Sequence, residues 1–182
     1  MLNGIHSLNG VYQDPKKLAL EAIQIEWHRL QEMGGWQDQI FAAFGGFNLI
    51  DFHQNNFEVS KIPISQEKME ALESSMMLFF TNIKRSSADI QKKVFDQKNL
   101  SSKENYLDLI YNLALEGKNI LCNTHDVNKM VEDFGRVMNE SWNAKKSLSN
   151  DISNPEIDEI YNIAIKAGAY GGKINGAGAG GF

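Results

Sequence analysis

The sequence predicts a mixed helix-and-strand fold, and three observations carry that expectation. Phe47-Asn48-Leu49-Ile50-Asp51-Phe52 and residues 57–64 read as two strands joined by the polar turn His53-Gln54-Asn55-Asn56, a hairpin. Met76-Met77-Leu78-Phe79-Phe80 is apolar throughout, the pattern of a strand buried on both faces. Around these lie segments with apolar residues at helical spacing, several of them opened by a capping residue.

In order along the chain, Asp14-Pro15 opens the first strongly signalled helix, with Asp14 as N-cap and Pro15 at the first helical position. Ile23, Trp27 and Leu30 fall at i, i+4 and i+7, so this helix is expected to run to about Gln31. Gly34-Gly35 stops it, and a short apolar turn over 40–44 meets Gly45-Gly46 before the hairpin. A second part begins near Ser65 with a short helix over 67–73, followed by the apolar strand. Ser86-Ser87-Ala88-Asp89 and Ser101-Ser102-Lys103-Glu104 have capping-box spacing, which predicts helices ending near 96 and 116. A longer helix to about Lys146 carries Val127, Val131, Phe134 and Met138 on one stripe. Ser153-Asn154-Pro155-Glu156 opens the last helix, with Ile157, Ile160 and Ala164 inward and Gly168 at its end.

The chain then closes on a glycine-rich tail, Gly171 to Phe182. Such a loop is useful only when flanking elements hold it, and Leu2 to Leu8 reads as an apolar helix without a cap. Both ends are therefore expected to be cut from a longer protein.

Composition narrows the class. At 182 residues the chain has room for one domain or two small lobes. Its 42% hydrophobic and 23% charged residues match ordinary globular proteins. A net charge of −5 and a pI near 5.4 exclude a protein that wraps nucleic acid, which needs a basic face. One cysteine, Cys122, excludes an internal disulfide and fits a reducing cytoplasm. No apolar run approaches the roughly 18 residues of a membrane span, and no signal peptide is visible. The expectation is a soluble cytoplasmic protein without nucleic-acid or membrane partners.

Few residues stand out chemically. Asp38 follows a double-glycine break, between two glutamines and near Trp36, conditions suited to a general base or an electrostatic orienter. It is equally placed to cap a helix over 39–44, and on spacing alone the cap is the commoner role. Glu26, twelve residues earlier, would make sense as a Mg²⁺ ligand, since Mg²⁺ in phosphoryl transfer takes one or two carboxylates plus phosphate oxygens. The ordinary alternative is a solvated helix-face glutamate. Backbone amides of the glycine tail can form an anion nest. Gly176, Gly178 and Gly181 satisfy G-x-G-x-x-G, but no helix or acidic residue follows as a dinucleotide fold requires, and no Walker sequence occurs. Lys84-Arg85-Ser86-Ser87 sets two cations at a helix N-terminus, an anion site or simply a capped, solvated start. Cys122 and His125 are too few for zinc, and His6, His28 and His53 lack partners for a triad. Trp142 with Lys145 and Lys146 reads as a packed aromatic beside cations that favour the helix dipole.

Taken together these residues resemble the GHMP superfamily of small-molecule kinases. Gly35-Trp36-Gln37-Asp38-Gln39 is similar to the segment presenting the family's catalytic Asp, and Glu26 matches its upstream Mg²⁺-holding Glu. Lys173-Ile174-Asn175-Gly176-Ala177-Gly178-Ala179-Gly180-Gly181 resembles the third family motif, with an Ala where Gly is common. Phe44-Gly45-Gly46-Phe47-Asn48, Leu78-Phe79-Phe80-Thr81 with Arg85-Ser86, and Glu140-Ser141-Trp142 with Lys145 are similar to the heptose 7-phosphate kinase branch. Fucokinase-type kinases share the run from Gly34 to Gln39, so that run does not choose the sugar.

The resemblance implies an α+β GHMP kinase fold. Residues 1–64 would be the remnant of a lobe like ribosomal protein S5 domain 2, carrying the catalytic Asp, and 65–182 most of a ferredoxin-like lobe. It implies ATP-dependent phosphorylation of the anomeric hydroxyl of D-glycero-D-manno-heptose 7-phosphate, toward nucleotide-activated heptose for surface polysaccharide. Asp38 would accept or orient the hydroxyl proton, Glu26 would hold Mg²⁺, and Gly176, Ala177, Gly178, Ala179 and Gly180 would contact the transferring group. Lys84 and Arg85 are expected to bind the substrate's 7-phosphate, as cations in an otherwise acidic chain. The expected partners are sugar phosphate and ATP, and a homodimer is allowed. The family's ATP-cradling serine-glycine motif is expected upstream of Leu2 and its last strands beyond Phe182. A fucokinase-type sugar kinase and a non-catalytic fragment are the other readings.

Overall fold

A computed structural model describes residues 1–31, 34–54, 56–83 and 100–182, with the backbone alone at 100–102. Lys84 and Arg85, the capping box at Ser86 and the helix expected to reach 96 lie outside the described residues. The chain forms two compact units, Met1–Lys61 and Ile62–Phe182. Among the described residues no helix is long and apolar enough to cross a membrane.

In the first unit α1 (Leu2–Leu8) buries no residue and ends at Asn9. Helix α2 (Pro15–Gln24) starts where expected, the Asp14 carboxylate accepting from the Lys17 amide at 3.0 Å. It does not continue as an α-helix to Gln31. Ile25–Arg29 is a π-helical turn, closed by the Leu30 amide on the Ile25 carbonyl at 3.0 Å. An i→i+5 bond adds a residue to the turn and rotates later side chains about the helix axis. Leu30 therefore leaves the apolar stripe and is 59% exposed.

Helix α3 (Gln37–Phe44) leads through Gly45 into β1 (Asn48–His53) and β2 (Asn56–Lys61), an antiparallel hairpin pairing Ile50 with Val59 and Phe52 with Phe57. Ala19 and Ile23 of α2, Ile40 of α3 and Phe57 of β2 make the buried core. Trp27, Trp36, Ala43, Phe44, Ile50 and Val59 pack around it.

The second unit opens with α4 (Gln66–Ser75), capped by Ser65. The Lys68 ammonium donates to the carbonyls of Leu121 (3.0 Å) and Cys122 (3.4 Å), satisfying the end of α5 (Leu100–Asn123). Helix α5 runs past the expected stop near 116 because Gly117 serves packing rather than termination. A Cβ there would stand 3.3 Å from the Phe134 ring of α6 (Val127–Lys146). Asp126 caps α6 through the Lys129 amide, and Asn154 caps α7 (Pro155–Lys166) through the Ile157 amide.

The inward face of α6 differs from the expected stripe. Met130, Val137, Trp142 and Ala144 are buried, while Val127, Val131, Phe134 and Met138 are half-buried. On α7, Ile157 is buried as expected, but Ile160 is 41% exposed and Tyr161 takes the inward position. Trp142, Leu148, Ile152, Ile157, Ile174 and Ala179 form the core of this unit.

The segment 76–80 departs most from expectation. It has no strand assignment, and Met77 and Leu78 are 84% and 69% exposed. A strand buried on both faces needs hydrogen-bonded neighbours, and none runs beside this one among the described residues. Only its end is tied. The Thr81 amide and hydroxyl both donate to the Gly181 carbonyl at 2.8 Å, and the Phe80 and Phe182 rings lie 5.0 Å apart.

Candidate active site

The candidate residues of the first unit lie where the π-helical turn meets the start of α3. Trp27 organises the join. Its indole nitrogen donates to the Gly34 carbonyl at 3.0 Å, and its ring meets Trp36 edge-on, 5.7 Å between centroids. The double-glycine segment is thereby held against the preceding helix, although neither glycine would meet another atom through an added Cβ.

Asp38 is not the helix cap. Trp36 occupies that position without a side-chain cap, and Asp38 is the second residue of α3, exposed in its first turn. There a carboxylate is favoured by the helix dipole and remains open to a ligand. Its neighbour Gln39 turns inward, donating from Nε2 to the Glu26 carboxylate in a short contact. Glu26 is part-buried within the π-helical turn, so the bond links the turn to the residue next to Asp38. Among the described residues Gln39 Oε1 and Trp36 Nε1 are both buried without a hydrogen-bond partner. A buried donor or acceptor in that state carries a cost of about 1–3 kcal/mol.

Among the described residues no three His, Cys, Asp or Glu side chains cluster as a metal cage. Glu26 still fits the Mg²⁺ role, because it is a hard oxygen donor and Gln39 engages one of its oxygens, Oε2. Mg²⁺ bound with phosphates asks for only one or two carboxylates.

In the second unit the glycine-rich loop is pinned at three amides. Asn175 donates to the Phe182 carbonyl (2.8 Å), Ala179 to Ile152 (2.8 Å) and Gly181 to Ile83 (3.2 Å). Gly176, Gly178 and Ala179 have φ of 68°, 106° and 63°. The left-handed conformation costs Ala179 about 1–2 kcal/mol, and its bond to Ile152 holds it there, fully buried.

Two lysines reach this loop, and sequence reasoning assigned them no site role. Lys145, in the last turn of α6, donates to the Gly176 carbonyl at 2.5 Å. Burial, and then the charge of Lys173, lower its pKa from 10.5 to about 8. Crowding of the Lys173 ammonium by protein atoms lowers its pKa too, although much of the residue's surface is open. Lys146, adjacent in sequence, points elsewhere, over the Trp142 and Tyr161 rings. The available signal was a lysine flanking a glycine run, together with cations ending the helix that carries Trp142.

Of the expected site residues, Glu26 and Asp38 belong to the first unit, joined through Gln39. Gly176, Ala177, Gly178, Ala179 and Gly180 belong to the second. Lys84 and Arg85 are outside the described residues.

Residues 127–182 match the family described as GHMP kinases C terminal. The chain is 37% identical over 174 residues to a D-glycero-alpha-D-manno-heptose 7-phosphate kinase of Campylobacter jejuni, covering 91% of this chain and 48% of that protein. It is 26% identical over 191 residues to an L-fucokinase/L-fucose-1-P guanylyltransferase of Bacteroides fragilis, covering all of this chain and 19% of that one. The crystal structure of a D-glycero-D-manno-heptose 1-phosphate kinase from Bacteroides thetaiotaomicron superposes with a TM-score of 0.68 at 29% identity, covering 97% of this chain and 47% of that one. The chain thus spans about half the length of the heptose kinases it matches.

Proposed function

We propose that this chain, which belongs to the GHMP kinases, is the part of a sugar kinase that presents the acceptor hydroxyl for phosphoryl transfer from ATP. The acceptor is the anomeric hydroxyl of D-glycero-D-manno-heptose 7-phosphate, and the product is the 1,7-bisphosphate. The observation that carries this reading is Gln39 bonded to Glu26 beside an exposed Asp38.

In the reaction the bond from the sugar O1 to phosphorus forms and the bond from phosphorus to the β-phosphate oxygen breaks. The hydroxyl proton moves to the Asp38 carboxylate, and ADP leaves. Mg²⁺, when bound, neutralises phosphate charge, with the Glu26 carboxylate as its protein ligand. The Gly176 to Gly180 loop supplies amides to the transferring group. Residues 1–64 and 65–182 are parts of the two lobes of such a kinase, a soluble cytoplasmic enzyme.

The test is turnover by the protein containing these residues, with Mg-ATP and a panel comprising the heptose 7-phosphate, the heptose 1-phosphate and L-fucose. Phosphorus NMR should show a new anomeric phosphate from the 7-phosphate alone. Asp38→Asn should lower kcat by about 10²–10⁴-fold while sugar-phosphate binding persists. Turnover of another sugar in the panel would move the assignment to that substrate. Unchanged kcat in Asp38→Asn would overturn the role of Asp38.

A further inference from the structure

Gln39 is the third residue of α3, directly after the exposed Asp38. The two ends of its side-chain amide are treated differently. Nε2 donates to Glu26 Oε2, whereas Oε1 is buried and meets no donor among the described residues. The amide cannot be turned over, because that would set its oxygen against a carboxylate oxygen and leave Nε2 unpaired instead. As a staple between the π-helical turn and α3 the contact is redundant. Trp27 already joins them through the Gly34 carbonyl and the Trp36 ring, and Ile23 and Ile40 share the buried core. An apolar side chain of the same length would fill the position without an orphaned oxygen. It could not hold a carboxylate.

We infer that Gln39, given the metal role proposed for Glu26, is a positioning residue: it fixes the carboxylate by Oε2 so that Oε1 stays open to a divalent cation. A part-buried glutamate on a helical turn has several staggered rotamers, and the bond to Oε2 selects one of them. The donor is a neutral amide, so it orients the carboxylate without cancelling its charge, as a lysine or arginine would. A ligand held in advance loses little rotamer freedom when the cation arrives, which is how outer partners raise metal affinity. Gln39 acts through Glu26 and not on the reacting atoms. The orphaned Oε1 of Gln39 is the stability cost of placing a donor there.

The experiment compares the intact protein with its Gln39→Met, Glu26→Gln and double variants. Methionine keeps the length of the side chain and removes the donor. In Gln39→Met the Mg²⁺ concentration for half-maximal turnover should rise about 10–100-fold, with the KM for the sugar phosphate unchanged. Added to Glu26→Gln, the same substitution should cause no further rise, since no carboxylate remains to be held. The urea midpoint of Gln39→Met should equal or exceed that of the unaltered protein, because the orphaned oxygen leaves with the bond. A second readout needs no turnover. Trace Mn²⁺, a paramagnetic stand-in for Mg²⁺, should broaden the Gln39 side-chain amide in proton–nitrogen NMR before those of Asn123 and Asn143, whose partners are neutral. Glu26→Gln should abolish that preference. A raised Mg²⁺ requirement in Glu26→Gln but not in Gln39→Met would overturn the positioning role and leave the metal role of Glu26 intact. An unchanged requirement in both would overturn the two together. A lowered urea midpoint, with a further rise in the double variant, would make Gln39 a structural staple and overturn the inference as well.

Discussion

The indole nitrogen of Trp27 donates to the carbonyl of Gly34 across 3.0 Å, holding the glycine break between the π-helical turn and α3. Trp27→Phe keeps the ring contact with Trp36 and loses only this bond, so about 1 kcal/mol of stability should disappear. Trp27→Ala removes the ring as well and should cost about 3 kcal/mol. Urea denaturation followed by far-UV circular dichroism measures both. Equal losses in the two variants would mean that the bond, not the ring, organises the join.

Glu26 separates structure from metal binding. Glu26→Gln still offers an oxygen to Gln39 Nε2 and should change stability by less than about 0.5 kcal/mol. It removes the charge, so the Mg²⁺ concentration for half-maximal turnover should rise about tenfold or more. An unchanged Mg²⁺ dependence would assign the metal to other ligands.

Gly171 packs directly against α6. A Cβ there would lie 2.0 Å from the Gly135 carbonyl oxygen and 2.8 Å from the Asn139 amide nitrogen. Both are helix backbone and cannot swing aside. Gly171→Ala should therefore destabilise the second unit by about 3 kcal/mol, seen as a lower urea midpoint. Gly172→Ala, whose added Cβ would meet only the Tyr161 ring at 3.8 Å, is the control within the same unit and should shift the midpoint little.

Lys145 predicts a pH dependence with a definite sign. Its pKa is about 8 when folded and 10.5 as a free side chain, so between these values the unfolded chain holds more protons. Stability from this group therefore rises with pH across that window, and the penalty of its charge is fully present below about 8. Lys173, also lowered, contributes in the same direction. Any stability that Lys145→Met gains over the unaltered chain should be greatest near neutral pH and shrink as pH approaches 10.5. A pH-independent difference would refute the shift.

Much of the helix framework was legible because caps act within one turn. Asp14 and Asn154 each accept from an amide three residues ahead, and that contact exists as soon as the local backbone forms. The hairpin was legible for the same local reason. The sequence also singled out Glu26, Asp38 and the glycine loop as candidates, through their likeness to short family motifs.

Only the tertiary structure decided the rest. The helix after Ser101 reads as ending near 116, yet it runs on to Asn123 with Gly117 packed against Phe134, and the apolar run 76–80 reads as a buried strand but has no paired neighbour among the described residues. Lys145 reads as a cation ending a helix, yet its ammonium meets a carbonyl 31 residues away and the charge of Lys173. Capping is a contact between adjacent residues, whereas burial, strand pairing and charge crowding are made by atoms that only folding brings together.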